Sequence, residues 1–182
     1  MSSAQVLGNE PVWLFAYGSL IWRPDIPVLD ERPAVAHGWT RRFWQGSHDH
    51  RGTPSAPGRV VTLVEAKSDA CEGVAYQLDE SVIRQTFEAL DHREKNGYER
   101  AVIALAGLDG EAFDAVTYLA PPGNFAWLGE APLVEMALQI AHSHGPSGAN
   151  TDYLFGLAQA LRSRNVIDEH VFDLEAAVRQ QI

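Results

Sequence analysis

Glu94 lies in Asp91-His-Arg-Glu-Lys-Asn-Gly-Tyr-Glu99, where an amphipathic pattern runs out. The last turn of a helix carries partial negative charge, which disfavours a carboxylate and raises its pKa. Partial burial acts in the same direction, and a glutamate held this way accepts protons near neutral pH better than a free surface one. The same residues also fit a plainer reading, a solvated helix-end charge between Arg93 and Lys95. A second chemical feature is Gly18-Ser19, which follows the apolar run Val12–Tyr17 and precedes Leu20-Ile21-Trp22. Backbone turned sharply at such residues can aim successive N–H groups at one point, a nest suited to a substrate carboxylate. A hairpin turn between two core strands would use the same residues. The third feature is Arg41-Arg-Phe-Trp-Gln-Gly-Ser-His-Asp-His-Arg-Gly-Thr-Pro54, a loop dense in polar groups beside aromatics. Arg42 or Arg51 could fork onto a second carboxylate of a ligand, while Asp49 or His50 orders the loop through hydrogen bonds.

Other chemistries find little support. His48 and His50 supply two metal ligands without a completing set, as do His142 and His144, so no metal is expected. Ser19 lacks the Gly-x-Ser-x-Gly elbow of a hydrolase nucleophile, and no phosphate loop or dinucleotide fingerprint occurs. Cys71, the sole cysteine, reads as a small core residue. It rules out an intrachain disulfide framework, which fits a reducing compartment.

These residues need elements to position them. Strand patterns cover Val12–Tyr17, Val35–Trp44, Arg59–Glu65, Glu72–Leu78, Tyr98–Leu105 and Ala112–Leu119, with Gly107-Leu-Asp-Gly110 as a hairpin connection. Between the fourth and fifth strands, Asp79 caps a helix whose Ile83, Phe87 and Leu90 share a face and which stops at Asn96-Gly97. Three helical faces follow: Leu133, Met136, Ala137 and Ile140; Leu154, Leu157, Ala158 and Leu161; Val171, Leu174, Val178 and Ile182. Pro121–Asn124 and Ser143–Ala149 read as loops. Strands followed by helices predict an α+β fold, a mostly antiparallel sheet or closed barrel with helices packed around it.

The 182 residues, 46% apolar and 21% charged, suit one domain, 1–182, with a substantial core. A net charge of −10 argues against nucleic acid or an anionic membrane surface as a partner. The polar stretch Met1–Glu10 lacks the apolar h-region of a signal peptide, and no run approaches the roughly 18 apolar residues of a membrane span. A soluble, cytoplasmic protein is therefore expected. Nothing in the sequence sets an oligomeric state.

Several segments occur in a telling order: Phe15-Ala-Tyr-Gly-Ser-Leu-Ile-Trp22, Arg42-Phe-Trp-Gln-Gly-Ser-His-Asp-His-Arg-Gly-Thr-Pro54, Pro57-Gly-Arg-Val-Val-Thr-Leu-Val64, Gly73-Val-Ala-Tyr76 and Arg93-Glu-Lys-Asn-Gly-Tyr98. Tyr118-Leu-Ala, Leu128-Gly-Glu-Ala-Pro-Leu133 and Gly145-Pro-Ser-Gly-Ala-Asn-Thr-Asp-Tyr-Leu154 follow them. Together they resemble the ChaC family of glutathione-specific γ-glutamylcyclotransferases over nearly the whole chain. The resemblance implies a small mixed β-barrel flanked by helices. It implies that the α-amino group of a γ-glutamyl unit attacks its own γ-carbonyl, releasing 5-oxoproline and, from glutathione, cysteinylglycine, with no metal or organic cofactor. It makes Glu94 the expected catalytic carboxylate and Tyr17, Gly18, Ser19 and Leu20 the segment that holds the γ-glutamyl end. Tyr118 is expected to line the pocket, and the Asp49–Thr53 loop with Arg51 to close over the cysteinylglycine end. Ala16, where glycine is frequent, and His48, at a variable position, depart from the pattern away from the chemistry. Other γ-glutamyl peptides, γ-glutamylamines, or binding without turnover remain alternatives for the same residues.

Overall fold

The computed structural model describes residues 12–182; the polar stretch Met1–Glu10 considered above lies outside them. Five strands, β1 (Trp13–Ala16), β2 (Val28–Ser47), β3 (Gly58–Leu78), β4 (Glu99–Gly107) and β5 (Ala112–Leu119), close a barrel in the order β1-β3-β2-β4-β5. Neighbours pair antiparallel except β1 and β5, whose parallel pairing at Leu14 and Val116 completes the ring. β1 is short, and Leu14, Phe15 and Ala16 are all buried, as expected of an apolar run covered on both faces. The β4–β5 hairpin turns at Gly107–Gly110, with Gly110 at φ +83.

Two expectations about the sheet change. Arg59–Glu65 and Glu72–Leu78 are not separate strands but the two ends of the single strand β3. Its exposed middle, Lys67–Ala70, has no side chain to bury and so carries no apolar pattern, yet the backbone continues. Here β3 bulges: residues 66–69 lie between Glu65 and Ala70, which pair with Trp39 and His37, and on β2 they face only Gly38, at φ +81, a device that bends a long ribbon around a barrel. The hairpin reading of Gly18-Ser19 is also replaced: the chain makes one 3-10 turn, Ser19–Ile21, with the Ile21 N–H donating to the Gly18 carbonyl at 2.9 Å.

Four helices cover the barrel: α1 (Ile83–Arg93), α2 (Leu133–His142), α3 (Asn150–Ser163) and α4 (Glu169–Arg179). Asp79 caps a short 3-10 turn, Glu80–Val82, that leads into α1. The apolar faces of α2 and α4 are one residue shorter than the pattern suggested, since Leu133 and Ile182 are exposed. The loop Ser143–Ala149 contains a small ribbon of β6 (His144–Gly145) and β7 (Gly148–Ala149). On α3, Leu154, Leu157 and Leu161 are fully buried; truncating any of them to alanine costs roughly 2–5 kcal/mol. No helix among the described residues is long and apolar enough to cross a membrane.

Two buried polar groups set the geometry around the barrel mouth. Arg41, 1% exposed, donates to the Tyr17 carbonyl at 2.6 Å, to Asp168 at 2.5 Å and to the Glu72 carbonyl at 2.6 Å. It therefore fixes the end of β1 against β2, β3 and the first turn of α4, which Asp168 caps. Asn150 bridges both backbone groups of Arg59, at 2.7 and 2.8 Å, and so docks the start of α3 onto β3.

Candidate active site

Glu94 is the residue on which α1 ends, its N–H donating to the Leu90 carbonyl at 2.8 Å. The segment after it is pinned to β2, because Asn96 donates to the Gly46 carbonyl and Gln45 to the Asn96 carbonyl, both at 2.8 Å. Gly97, at φ +88, turns the chain into β4 where a Cβ would strike Asn124 and Gln45. The Glu94 side chain is thus held at the barrel mouth with only 17% of its surface exposed. Burial pushes its pKa up; Arg93 and His50 oppose the rise and Asp49 adds to it. Its nearest cation is Arg93, with Nε 3.6 Å from Oε1.

Two cavities meet at Glu94. The inner pocket, about 40 Å³, is walled by Phe15–Leu20, Val61, Thr117 and Tyr118. The outer chamber, about 270 Å³, is walled by Arg23, Asp49, His50, Arg51, Arg93 and Ser147 among others. Ser19, Glu94, Tyr98 and Tyr153 line both, and so form the neck between them.

The turn after β1 forms one side of the inner pocket. The N–H groups of Ser19 and Leu20 find no protein acceptor among the described residues, as expected at the start of a helical turn. Gly18 is required by close approach: a Cβ there would lie 2.9 Å from a Val61 methyl and 3.1 Å from the Tyr153 hydroxyl. Tyr17 is buried, and its hydroxyl donates to the Tyr118 carbonyl at 2.6 Å. The Tyr118 ring lines the pocket while its hydroxyl reaches away to Asp91 at 2.7 Å, where Arg100 also binds. Burial raises the pKa of Tyr17, Tyr98, Tyr118 and Tyr153, and the Glu94 charge reinforces it, so four neutral phenols surround one carboxylate.

In the outer chamber, Arg93 donates to the Ser19 hydroxyl and to the Arg23 carbonyl, each at 2.9 Å, and lies 3.8 Å from Asp25. Arg51 is 8% exposed and donates to the Ala149 carbonyl at 3.2 Å. Neither Arg51 nor Arg23 has a carboxylate within 4.0 Å among the described residues. Burial, then the neighbouring Arg23 charge, lower the Arg51 pKa. Asp152 opposes that fall; two cations facing one chamber, neither held in a close ion pair, suit an anion. Asp49 carries two carboxylate oxygens shielded from solvent with no hydrogen-bond donor among the described residues; its nearest partner is His50 at 3.7 Å.

Of the two arginines considered for a carboxylate fork, only Arg51 faces this space. Arg42 lies over a separate groove, 4.0 Å from Asp69. His48 lies outside both cavities, beside Phe125. Cys71 is buried, its thiol pushed up to about 11. Among the described residues no three His, Cys, Asp or Glu gather as a metal site. Sequence reasoning did not single out Arg23, Arg93, Tyr98 or Tyr153 as functional. Tyr98 stands four residues from Glu94 and was within sight; Tyr153 was hidden beside the apolar face of α3.

A closed mixed barrel of five strands capped by four helices is the γ-glutamylcyclotransferase fold. The crystal structure of a glutathione-specific γ-glutamyl cyclotransferase from yeast superimposes with a TM-score of 0.88, at 30% identity, over 94% of this chain and 97% of that one. Gamma-glutamylcyclotransferase 2-3 of Arabidopsis thaliana is 42% identical over 177 residues, covering 92% of this chain and 88% of its own. Glutathione-specific gamma-glutamylcyclotransferase 1 of Danio rerio is 40% identical over 180 residues, covering 95% and 91%. The family model for ChaC-like proteins matches residues 12–181, and the chain belongs to the ChaC family.

Proposed function

We propose that this chain, acting as a single cytoplasmic domain, is a γ-glutamylcyclotransferase that converts glutathione to 5-oxoproline and cysteinylglycine. The observation that carries the reading is Glu94, a buried carboxylate with a raised pKa at the neck between a small pocket and a wider chamber. The named activities of the yeast and Danio rerio relatives support glutathione as the substrate. The γ-glutamyl unit occupies the inner pocket, with its α-carboxylate on the free N–H groups of the Gly18–Leu20 turn and the rings of Tyr17 and Tyr118 around it. The cysteinylglycine part extends into the outer chamber, where Arg51, beside Arg23, receives the terminal carboxylate. The scissile amide then crosses the neck.

Glu94 takes a proton from the substrate ammonium, freeing the amine to attack the γ-carbonyl of the same molecule. It returns that proton to the leaving nitrogen as the amide breaks, and the carboxylate so freed takes the second proton from the ring nitrogen. Because nucleophile and electrophile belong to one molecule, holding the chain folded supplies much of the acceleration. The only cysteine, Cys71, is a buried thiol, in keeping with a reducing cytoplasm.

The test is incubation of the purified protein with reduced glutathione and no added metal, followed by mass spectrometry of both products. The expected result is 5-oxoproline and cysteinylglycine in equal amounts, with a loss of about 10²–10⁴-fold in rate for Glu94→Gln. Near-normal activity in that variant would rule out Glu94 as the proton carrier.

A further inference from the structure

Five tyrosines occur in the chain, and four of their hydroxyls donate to a protein oxygen. Tyr17 donates to the Tyr118 carbonyl, Tyr76 to the Leu20 and Ile21 carbonyls, Tyr98 to the Val61 carbonyl and Tyr118 to Asp91. Tyr153 differs. Its oxygen accepts the Val61 N–H at 3.3 Å, but its own proton goes to no acceptor among the described residues. The residue is 7% exposed and lines both cavities, so the acceptor for that proton is whatever occupies them. A buried donor without an acceptor is costly and uncommon. The hydroxyl is also rigidly aimed. Its ring packs edge-on against Trp22 and Phe43 at 5.7 and 5.9 Å, and Asn150 anchors the helix that carries it.

Its position says what the proton is for. Tyr153 is one of four residues common to the inner pocket and the outer chamber. On the reading above, the atoms at that neck are those of the scissile amide. Of the other three, Glu94 handles protons, Tyr98 has spent its hydroxyl on Val61, and Ser19 is half-buried and held by Arg93. We infer that Tyr153 is a further catalytic residue, whose hydroxyl donates a hydrogen bond to the γ-carbonyl oxygen of the substrate as negative charge develops there. The amine nitrogen bonds to the γ-carbon while the carbonyl π pair moves onto oxygen. Tyr153 holds that oxygen without giving up its proton. The π bond then re-forms, the bond to the cysteine nitrogen breaks, and that nitrogen takes the proton from Glu94; the carboxylate so freed accepts the surplus proton of the ring nitrogen, leaving a neutral lactam. Burial and the nearby Glu94 charge keep the phenol neutral, so it stays a donor throughout.

The inference rests on the cyclotransferase reading, and the experiment separates the two. Tyr153→Phe keeps the ring and its packing. Removing one donor to a developing oxyanion costs about 10²–10³-fold in kcat, and an interaction made only in the transition state leaves KM within roughly threefold. Should Phe lower stability through the lost Val61 partner, a second variant carries a 3-fluorotyrosine at position 153 alone. That more acidic phenol keeps the donor, and its kcat is expected to remain within about tenfold of the parent. Parental kcat in a folded Tyr153→Phe, or a loss confined to KM, overturns the role of Tyr153 while leaving the cyclotransferase reading intact. A parent protein that converts neither glutathione nor any other γ-glutamyl compound overturns the reading itself, and the inference with it.

Discussion

The barrel holds two buried clusters of charge, and they are finished to different degrees. Around Arg41 every guanidinium nitrogen is engaged: one side chain serves two carbonyls and the Asp168 carboxylate. Around Glu94 the accounts are left open. Asp49 has two shielded oxygens without donors, Glu94 has its nearest cation at 3.6 Å, and Arg51 has no carboxylate within 4.0 Å. Buried polar groups are normally satisfied, so the complete cluster is scaffold and the incomplete one is where the proposed substrate would find its partners. The two are linked, since Arg41 holds the carbonyl of Tyr17 just where the chain turns into the inner pocket.

Breaking the finished cluster should cost the most stability. Arg41→Ala leaves Asp168 without its cation and takes the guanidinium from two carbonyls, a loss of roughly 3–5 kcal/mol, seen in thermal unfolding as a fall in Tm on the order of 10 °C. An unchanged Tm would dissolve the contrast between the clusters. Gly18→Ala acts on the open cluster's wall. Its methyl must displace a Val61 side chain or the Tyr153 hydroxyl, and steady-state kinetics should show KM for glutathione raised about tenfold, a 1.4 kcal/mol effect.

Two smaller effects concern charge. Burial first, with Asp49 adding, raises the Glu94 pKa. As proton acceptor Glu94 must be ionised, so kcat falls as pH drops through that raised value. Asp49→Asn removes the added repulsion and should move the acidic limb of the kcat–pH profile to lower pH; a limb that stays in place would detach Asp49 from Glu94. For stability the sign is reversed. A carboxyl whose folded pKa is raised contributes stability below its ordinary value of 4.5 and loses it as pH rises through the folded pKa. Glu94→Gln, the variant expected to lose activity, should therefore unfold at a slightly higher temperature than the parent at pH 7, the gap closing in acid. Active sites commonly carry such a cost to stability.

Much of this architecture was legible in the sequence, and for identifiable reasons. β5 begins and ends at Ala112 and Leu119 as its pattern predicts, and α1 ends beside Glu94 where Asn96-Gly97 says it should. Local signals of that kind, a face, a cap, a breaker, are written in neighbouring residues. The continuity of β3 was not, because Lys67–Ala70 follows a backbone path with no core to face. Nor was Tyr153, whose role depends on which groups stand across the neck, residues 19, 94 and 98. The Gly18-Ser19 segment was legible in composition, but its 3-10 geometry emerges only once Arg41 and Val61 confine it.

The parallel pair of β1 and β5 has a bearing on how the molecule comes into being. Leu14 and Val116 are about a hundred positions apart, and such distant pairings form slowly because a long stretch of chain must be gathered first. The neck residues span a similar range, from Ser19 to Tyr153. A nascent chain emerging from its N-terminus therefore has the turn, then Glu94, long before it has a closed pocket. The neck itself exists only when synthesis has passed α3 and the ring has shut, so the site is among the last parts of the molecule to be assembled.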